Sequence, residues 1–189
     1  MIQNVDLAIL AWIRETLWCA PLDLLATQMT HLGDSGIFCI ILAALCLTYK
    51  PTRRLGVVLA VSMAFDFLLC NLTVKPLVNR VRPYEVEDIA LIVAPPHDAS
   101  FPSGHTAISF AFAWVMVLRR ERFWKAALVL AVLIGLSRLY LNVHFPSDVL
   151  CGALFGMIAA HFACRVVPKE KERLSLCLKQ LSVSPLSFG

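Results

Sequence analysis

The feature that most constrains this chain is a series of long apolar blocks separated by short polar breaks. Leu55–Val74 runs for twenty residues with one acid, Asp66. Phe101–Leu118 and Ala126–Val143 are eighteen residues each, the second charged only at Arg138. Val149–Val167 follows, carrying His161 and Arg165, and Ile37–Tyr49 is a shorter block. A helix rises about 1.5 Å per residue, so roughly 20 apolar residues match the ~30 Å hydrocarbon core of a bilayer. With 59% hydrophobic and 16% charged residues, an ordinary soluble fold is excluded. The expectation is an all-α, polytopic membrane bundle of five to six transmembrane helices.

The N-terminal segment is less regular. Val5–Trp18 mixes apolar residues with Asp6, Arg14 and Glu15, and Pro21–Leu32 is a second semi-apolar piece. No basic stretch followed by an apolar run and a small-residue cleavage site occurs, so no removable signal peptide is expected. The segment reads either as one span broken near Pro21 or as an interfacial helix leading into a short span.

Basic residues orient the blocks. Lys50, Arg53 and Arg54 join the second and third spans, Arg119, Arg120, Arg122 and Lys125 the fourth and fifth, and Lys169, Lys171 and Arg173 follow the last. By the positive-inside rule these loops face the cytoplasm. The expected setting is a multi-pass protein of the cell (inner) membrane, with residues 1–167 as one transmembrane domain and 168–189 as a cytoplasmic tail, lying on the membrane surface or disordered. The formal charge of +4 then reflects topology rather than nucleic-acid binding. The outer side receives the loops 31–36, 75–100 and 142–148. Seven cysteines with no C-x-x-C pair, most of them inside apolar runs, indicate neither a disulfide framework nor a metal site.

Three polar clusters occupy these outer loops. In "KPLVNRVRPYE", Lys75 and Arg82 are seven apart, a spacing that returns to one face of a helix, with Arg80 between them. An arginine offers a planar fork of donors to a tetrahedral oxyanion, and a lysine adds a mobile point charge. In "LSRLYLNVHFPSDVL", Arg138 sits inside the apolar pattern, where a cation is expensive unless an anion satisfies it. His144 and Asp148 follow, four apart; a carboxylate on one imidazole nitrogen leaves the other free to act as nucleophile or base. In "SFPSGHTAISF", Ser103, Gly104 and His105 open a hydrophobic helix. Ser103 as a simple cap is one reading. The other is an anion-binding corner, with free N–H groups at the helix start, a glycine permitting close approach and a second imidazole to protonate a leaving oxygen. Three such clusters on one membrane face favour the corner and point to phosphoryl transfer, a chemistry of positioning and charge stabilisation. Spacing alone leaves open which histidine attacks, and Asp148 beside His144 favours His144.

Lys75-x6-Arg82-Pro83, Pro102-Ser103-Gly104-His105 and Ser137-Arg138-x5-His144-x3-Asp148 resemble, in order and without departure, the three-part signature of the type-2 phosphatidic acid phosphatase superfamily. The resemblance implies that His144 forms a phosphohistidine, Asp148 orients it and His105 is the general acid for the leaving group. Lys75, Arg82, Ser103, Gly104 and Arg138 would form the phosphate cradle, with no metal or other cofactor. The implied partner is a lipid phosphate drawn from the bilayer, with its site on the extracytoplasmic face. The resemblance is closest to small bacterial members acting on undecaprenyl diphosphate or phosphatidylglycerol phosphate. Undecaprenyl diphosphate is favoured because its diphosphate is released on that face. Broad action on phosphatidic acid is the alternative, and a lipid-phosphate-binding protein without hydrolysis is the alternative of another class.

Outside these clusters, Asp66 is expected to make an interhelical hydrogen bond, and Gly152, Gly156 and Ala160 form a small-residue stripe for helix packing. His161 is expected to be a packing residue and Asp34 a helix cap. The acidic loop 84–98 is either a lid or a solvated strand of chain.

Overall fold

The computed structural model describes residues 2–33, 36–87, 89 and 91–168. Among them all regular structure is helical, as expected. The elements are α1 (Ile2–Leu17), α2 (Ala20–Gly33), α3 (Ile37–Thr48), α4 (Arg53–Asp66), a π-helical stretch (Phe67–Val74), α5 (Lys75–Val78), α6 (Pro83–Glu87), α7 (Gly104–Arg119), α8 (Trp124–Tyr140) and α9 (Pro146–Val166). Asp34 and the tail from residue 169 lie outside the described residues. The break expected near Pro21 falls at Trp18–Cys19, which places Pro21 in the first turn of α2, where its missing N–H costs no hydrogen bond.

The bundle is built around α7, which lies against α9, α8 and α4. The closest contact, α7 on α9, follows from the small-residue stripe. A methyl group added at Gly152 would stand 2.6 Å from the Ser103 carbonyl oxygen, and one at Gly156 would overlap that of Ala107. Lipid tails are as apolar as leucine, so helices in a membrane associate through this kind of close backbone approach. Val58, Leu59, Phe112, Val115 and Ala160 fill the interior, and Ser62 Oγ donates to the Ala111 carbonyl at 3.2 Å across the α4–α7 seam. Meanwhile Ile40, Ile41, Leu45, Leu68, Leu72, Val129, Leu150 and Leu154 face outward. Apolar outside with polar groups such as Asp66, Ser109 and Arg138 inside is the arrangement a bilayer stabilises.

The helices are shorter than the apolar blocks. Among the described residues, the segment Arg53–Glu87, helical without a break up to Val78, and Pro146–Val166 are long and apolar enough to cross a bilayer, and α2 with α3 makes a third if they act as one bent span. The expected count of five to six therefore does not follow from helix length, since α7 and α8 have 16 and 17 residues. Local chemistry explains the difference. Pro102 and Ser103 precede the first helical residue, Ser103 being an extended N-cap. At the far end of α8, Leu141–Val143 leave the helix in a turn with Asn142 left-handed at φ 54°, a conformation asparagine tolerates.

These terminations all fall at one end of the bundle, where α7 and α9 begin and α8 ends. The basic turn 119–125, between α7 and α8, lies at the opposite end. The junction of α1 and α2 braces that first end: Trp18 Nε1 donates to the Tyr140 carbonyl at 3.1 Å, and Tyr140 Oη donates to Asp23 Oδ1 at 2.5 Å.

Candidate active site

Lys75 reaches the site from the end of the π-helical stretch. Pro76 has no N–H to return to Leu72, so the ladder cannot continue as a regular α-helix there, and Thr73 Oγ1 bonds the Leu68 carbonyl five residues back. The short α5 ends at Asn79, left-handed at φ 43°. Arg82 thus arrives after a chain reversal and not, as the seven-residue spacing suggested, from the same helical face. The two cations still converge, on a residue absent from the expected cradle. Lys75 Nζ bonds Asp98 Oδ2, while Arg82 Nη2 bonds Asp98 Oδ1 at 2.6 Å and Arg82 Nε bonds the Asp98 carbonyl at 2.8 Å. Partial burial pulls the Asp98 carboxyl upward, but the bonds and charges of Lys75 and Arg82 outweigh it and hold the group at about 2. The acidic loop is therefore neither wholly solvated nor free of the site.

Arg82 is almost fully buried, and its remaining donor serves the loop between α8 and α9. Nη1 bonds the Val143 carbonyl at 2.6 Å and stands 3.3 Å from His144 Nε2. A guanidinium only donates, so Nε2 is the lone-pair nitrogen and the ring proton sits on Nδ1. Nδ1 faces Asp148 Oδ2 at 3.6 Å, longer than a hydrogen bond, so the attraction here is that of a charge for a dipole. Burial and the positive charges of Arg82 and Arg138 push the His144 imidazole down to about 3 against the opposing pull of Asp148. The ring is a neutral base with its lone pair toward the cations.

Asp148, in the first turn of α9, is held from several sides. Oδ2 accepts the N–H of Phe145 at 3.0 Å and the Ser100 hydroxyl at 2.5 Å, and Oδ1 accepts Arg80 Nη1 at 2.6 Å. Ser103 N–H donates to the Asp148 carbonyl at 3.1 Å, which joins the α7 and α9 starts. The Ser103 hydroxyl makes no cap; it pairs with Thr106 Oγ1 at 2.9 Å.

Gly104 and His105 line a cavity of about 260 Å³ together with Lys75, Asp98, Asn71 and Asp66. A methyl at Gly104 would meet Asn71 Oδ1 at 3.3 Å and Lys75 Nζ at 3.7 Å, so glycine keeps this wall open. Arg138 is buried in the last turn of α8, where Nη1 bonds Thr30 Oγ1 of α2. Its charge acts on His144, but Arg138 is not on the wall of the Lys75–His105 cavity. Asp66 departs from expectation: it accepts from Cys70 Sγ at 3.4 Å within its own helical segment and faces that cavity. His161 Nδ1 lies 2.9 Å from the Met157 carbonyl, far from the site.

Lys75 and Arg82 thus meet on Asp98, and Arg82 reaches on to His144 with Asp148 behind it. Lys75, Gly104 and His105 share the cavity wall, and Arg82, His144 and Asp148 lie buried off that wall. The PAP2 superfamily model matches residues 54–172. The chain belongs to the PAP2 superfamily. This PAP2 chain is 34% identical over 115 residues to an undecaprenyl-diphosphatase of Sulfolobus acidocaldarius, covering 60% of the chain and 55% of that relative, so it spans about half that relative's length. It is also 34% identical over 163 residues to the putative undecaprenyl-diphosphatase YbjG of Escherichia coli, with 84% and 80% covered. A transmembrane PAP2 type phosphatidylglycerolphosphate phosphatase from Bacillus subtilis superposes with TM-score 0.71 at 30% identity, covering 86% of this chain and 84% of that one.

Spacing did not single out Arg80, Asp6, Ser100 or Asp98. Arg80 sits inside the first cluster and was visible as a cation. Asp6 showed as an acid in a semi-apolar segment and Asp98 as one acid of the loop 84–98, and Ser100 carried no signal.

Proposed function

We propose that this PAP2 protein is a lipid phosphatase that works through a phosphohistidine on His144. The observation that carries the reading is the bipolar setting of that ring, with Nε2 against Arg82 and Nδ1 toward Asp148. Lys75 and Arg82 take the phosphate oxygens, and the Gly104 corner admits them. His144 Nε2 attacks phosphorus as the ester or anhydride P–O bond breaks, and His105 gives its proton to the leaving oxygen. Asp148 stabilises the resulting positive ring. Water, deprotonated by His105, then cleaves the P–N bond and releases phosphate. Residues 1–167 act as one unit in this account, since α1 reaches the site.

Undecaprenyl diphosphate is the favoured substrate, supported by the names of the Sulfolobus and Escherichia relatives. Phosphatidylglycerol phosphate is the second reading, supported by the Bacillus structural likeness over most of the chain. The site lies at the end of the bundle opposite the basic turn 119–125, which supports an extracytoplasmic site and a cytoplasmic C-terminus in the cell membrane. The test is phosphate release by purified protein in detergent with EDTA, on undecaprenyl diphosphate, phosphatidylglycerol phosphate and phosphatidic acid in parallel. Preference for the diphosphate supports the first reading, and equal rates make the enzyme a broad lipid phosphatase. Absence of release from all three, with lipid binding retained, leaves a non-catalytic binder.

A further inference from the structure

Arg80 belongs to none of the expected site residues, and α1 precedes the segment that matches the family, yet both converge on the start of α9, Arg80 on Asp148 and Ser147 and Asp6 on Ser147. Arg80 Nη1 donates to Asp148 Oδ1 at 2.6 Å and to Ser147 Oγ at 2.7 Å, and Nη2 donates to Asp6 Oδ2 at 2.8 Å. Its guanidinium carbon stands 3.9 Å over the centroid of the Phe145 ring. Asp6 is 4% exposed on a helix whose neighbours Ile2, Val5 and Ile9 face outward. It also accepts the Ser147 N–H at 3.0 Å and the Ser147 hydroxyl at 2.5 Å. A buried acid whose oxygens accept from Arg80 and from the start of α9 does more than anchor α1.

The bonds divide the Asp148 carboxylate. Oδ1 is taken by Arg80, so the group cannot rotate, and Oδ2 is left facing His144 with Ser100 and Phe145 N–H. Arg80 also places a full positive charge on the carboxylate that must stabilise an imidazolium, and that charge opposes the stabilisation. Asp6 offsets it. We propose that Asp6 and Arg80 are a positioning pair for Asp148, Arg80 fixing the carboxylate's rotation and Asp6 setting how much of the Arg80 charge the His144–Asp148 pair feels. The proposal rests on His144 being the nucleophile.

The other groups facing this pair are Arg82 and Arg138 beside His144, Asp98 beyond Arg82, and Cys151 beside Asp148. None of them changes in Arg80 or Asp6 variants, so the pair's charges act separately. Arg80→Gln removes a cation and leaves Asp6 and Asp148 as two acids, which makes His144 more basic. Asp6→Asn leaves the cation uncompensated and makes His144 less basic. A pair that only fastens α1 predicts no such opposition.

The experiment measures kcat and KM against pH for wild type, Arg80→Gln, Arg80→Lys, Asp6→Asn and His144→Ala, on whichever lipid of the panel above wild type hydrolyses fastest. Arg80→Gln is expected to move the acidic limb of kcat/KM up by about one unit, and Asp6→Asn to move it down. In both, kcat falls while KM stays within about twofold, because neither residue touches substrate. Arg80→Lys restores the limb but only part of kcat, since a point charge lacks the fork that holds Oδ1. Limbs unmoved, or moved in the same direction by both variants, overturn the proposal. If Arg80→Gln fails to fold, the limbs of Asp6→Asn and Arg80→Lys decide it. A His144→Ala variant that still turns over sinks the catalytic reading instead, which separates the two failures.

Discussion

Arg82 Nη2 and Asp98 Oδ1 lie 2.6 Å apart, with Lys75 bonded to the other oxygen of the same carboxylate. The two cations of the proposed phosphate cradle are thus bridged by an acid of their own chain. A bound phosphate competes with Asp98 for both. Asp98→Asn removes the competing charge while keeping the backbone carbonyl that Arg82 Nε uses. Orthovanadate or phosphate should inhibit this variant at concentrations about tenfold lower than wild type, a difference of about 1.4 kcal/mol. Inhibition constants measured in detergent check this; weaker inhibition would mean that Asp98 organises the cradle.

Arg82 makes a fork that lysine cannot copy. Its three nitrogens serve Asp98, the Val143 carbonyl and Nε2 of His144. Arg82→Lys should lower kcat about 100- to 1000-fold, as loss of one preorganised donor to a developing charge does elsewhere. The same variant should also melt earlier, because a lysine leaves the buried Val143 carbonyl without its donor, at a cost of about 1–3 kcal/mol. A steady-state assay and a melting curve on one preparation read both.

Two glycines separate packing from binding. Alanine at Gly152 would press on the Ser103 carbonyl, backbone that cannot yield, and should cost about 1–3 kcal/mol by forcing α7 from α9. Alanine at Gly104 would meet only the side chains of Asn71 and Lys75. Gly104→Ala should therefore keep the wild-type melting temperature and raise KM, while Gly152→Ala lowers melting temperature and activity together.

The signature clusters were legible in the sequence because their chemistry resides in residue type: a histidine four before an aspartate, a glycine between Ser103 and His105, cations near Pro83. What spacing could not show was pairing across the chain. Asp6 and Arg80 meet across a sequence separation of 74, and Asp98 closes on Lys75 across one of 23. Helix limits were legible only as apolar blocks, since Phe101, Pro102 and Leu141 count as apolar yet lie outside α7 and α8. An acid in the middle of an apolar block points to an interhelical bond for Asp66, and its partner Cys70, one turn on in the same segment, is a residue type that otherwise counts as apolar.

The neutral state of buried His144 sets an acid dependence of stability. The folded imidazole resists a proton down to about 3, whereas the ordinary value is 6.5. As pH falls below 6.5 the unfolded chain takes up the proton first, so stability declines from there until about 3 and no further on this group's account. Asp98, held at about 2 against an ordinary 3.8, adds its own loss only below 3.8. Melting temperatures between pH 6.5 and 4 should fall in wild type and in Asp98→Asn, and fall less steeply in His144→Asn.

The most direct measurement is covalent labelling. Wild type, His144→Ala and His105→Ala would be mixed with a lipid carrying radioactive phosphate in the group to be transferred, quenched in alkali and separated on gels. Label on wild-type protein, mapped to the peptide containing His144 and absent from His144→Ala, is the predicted result. Turnover by wild type with no label, or label that persists in His144→Ala, would contradict it.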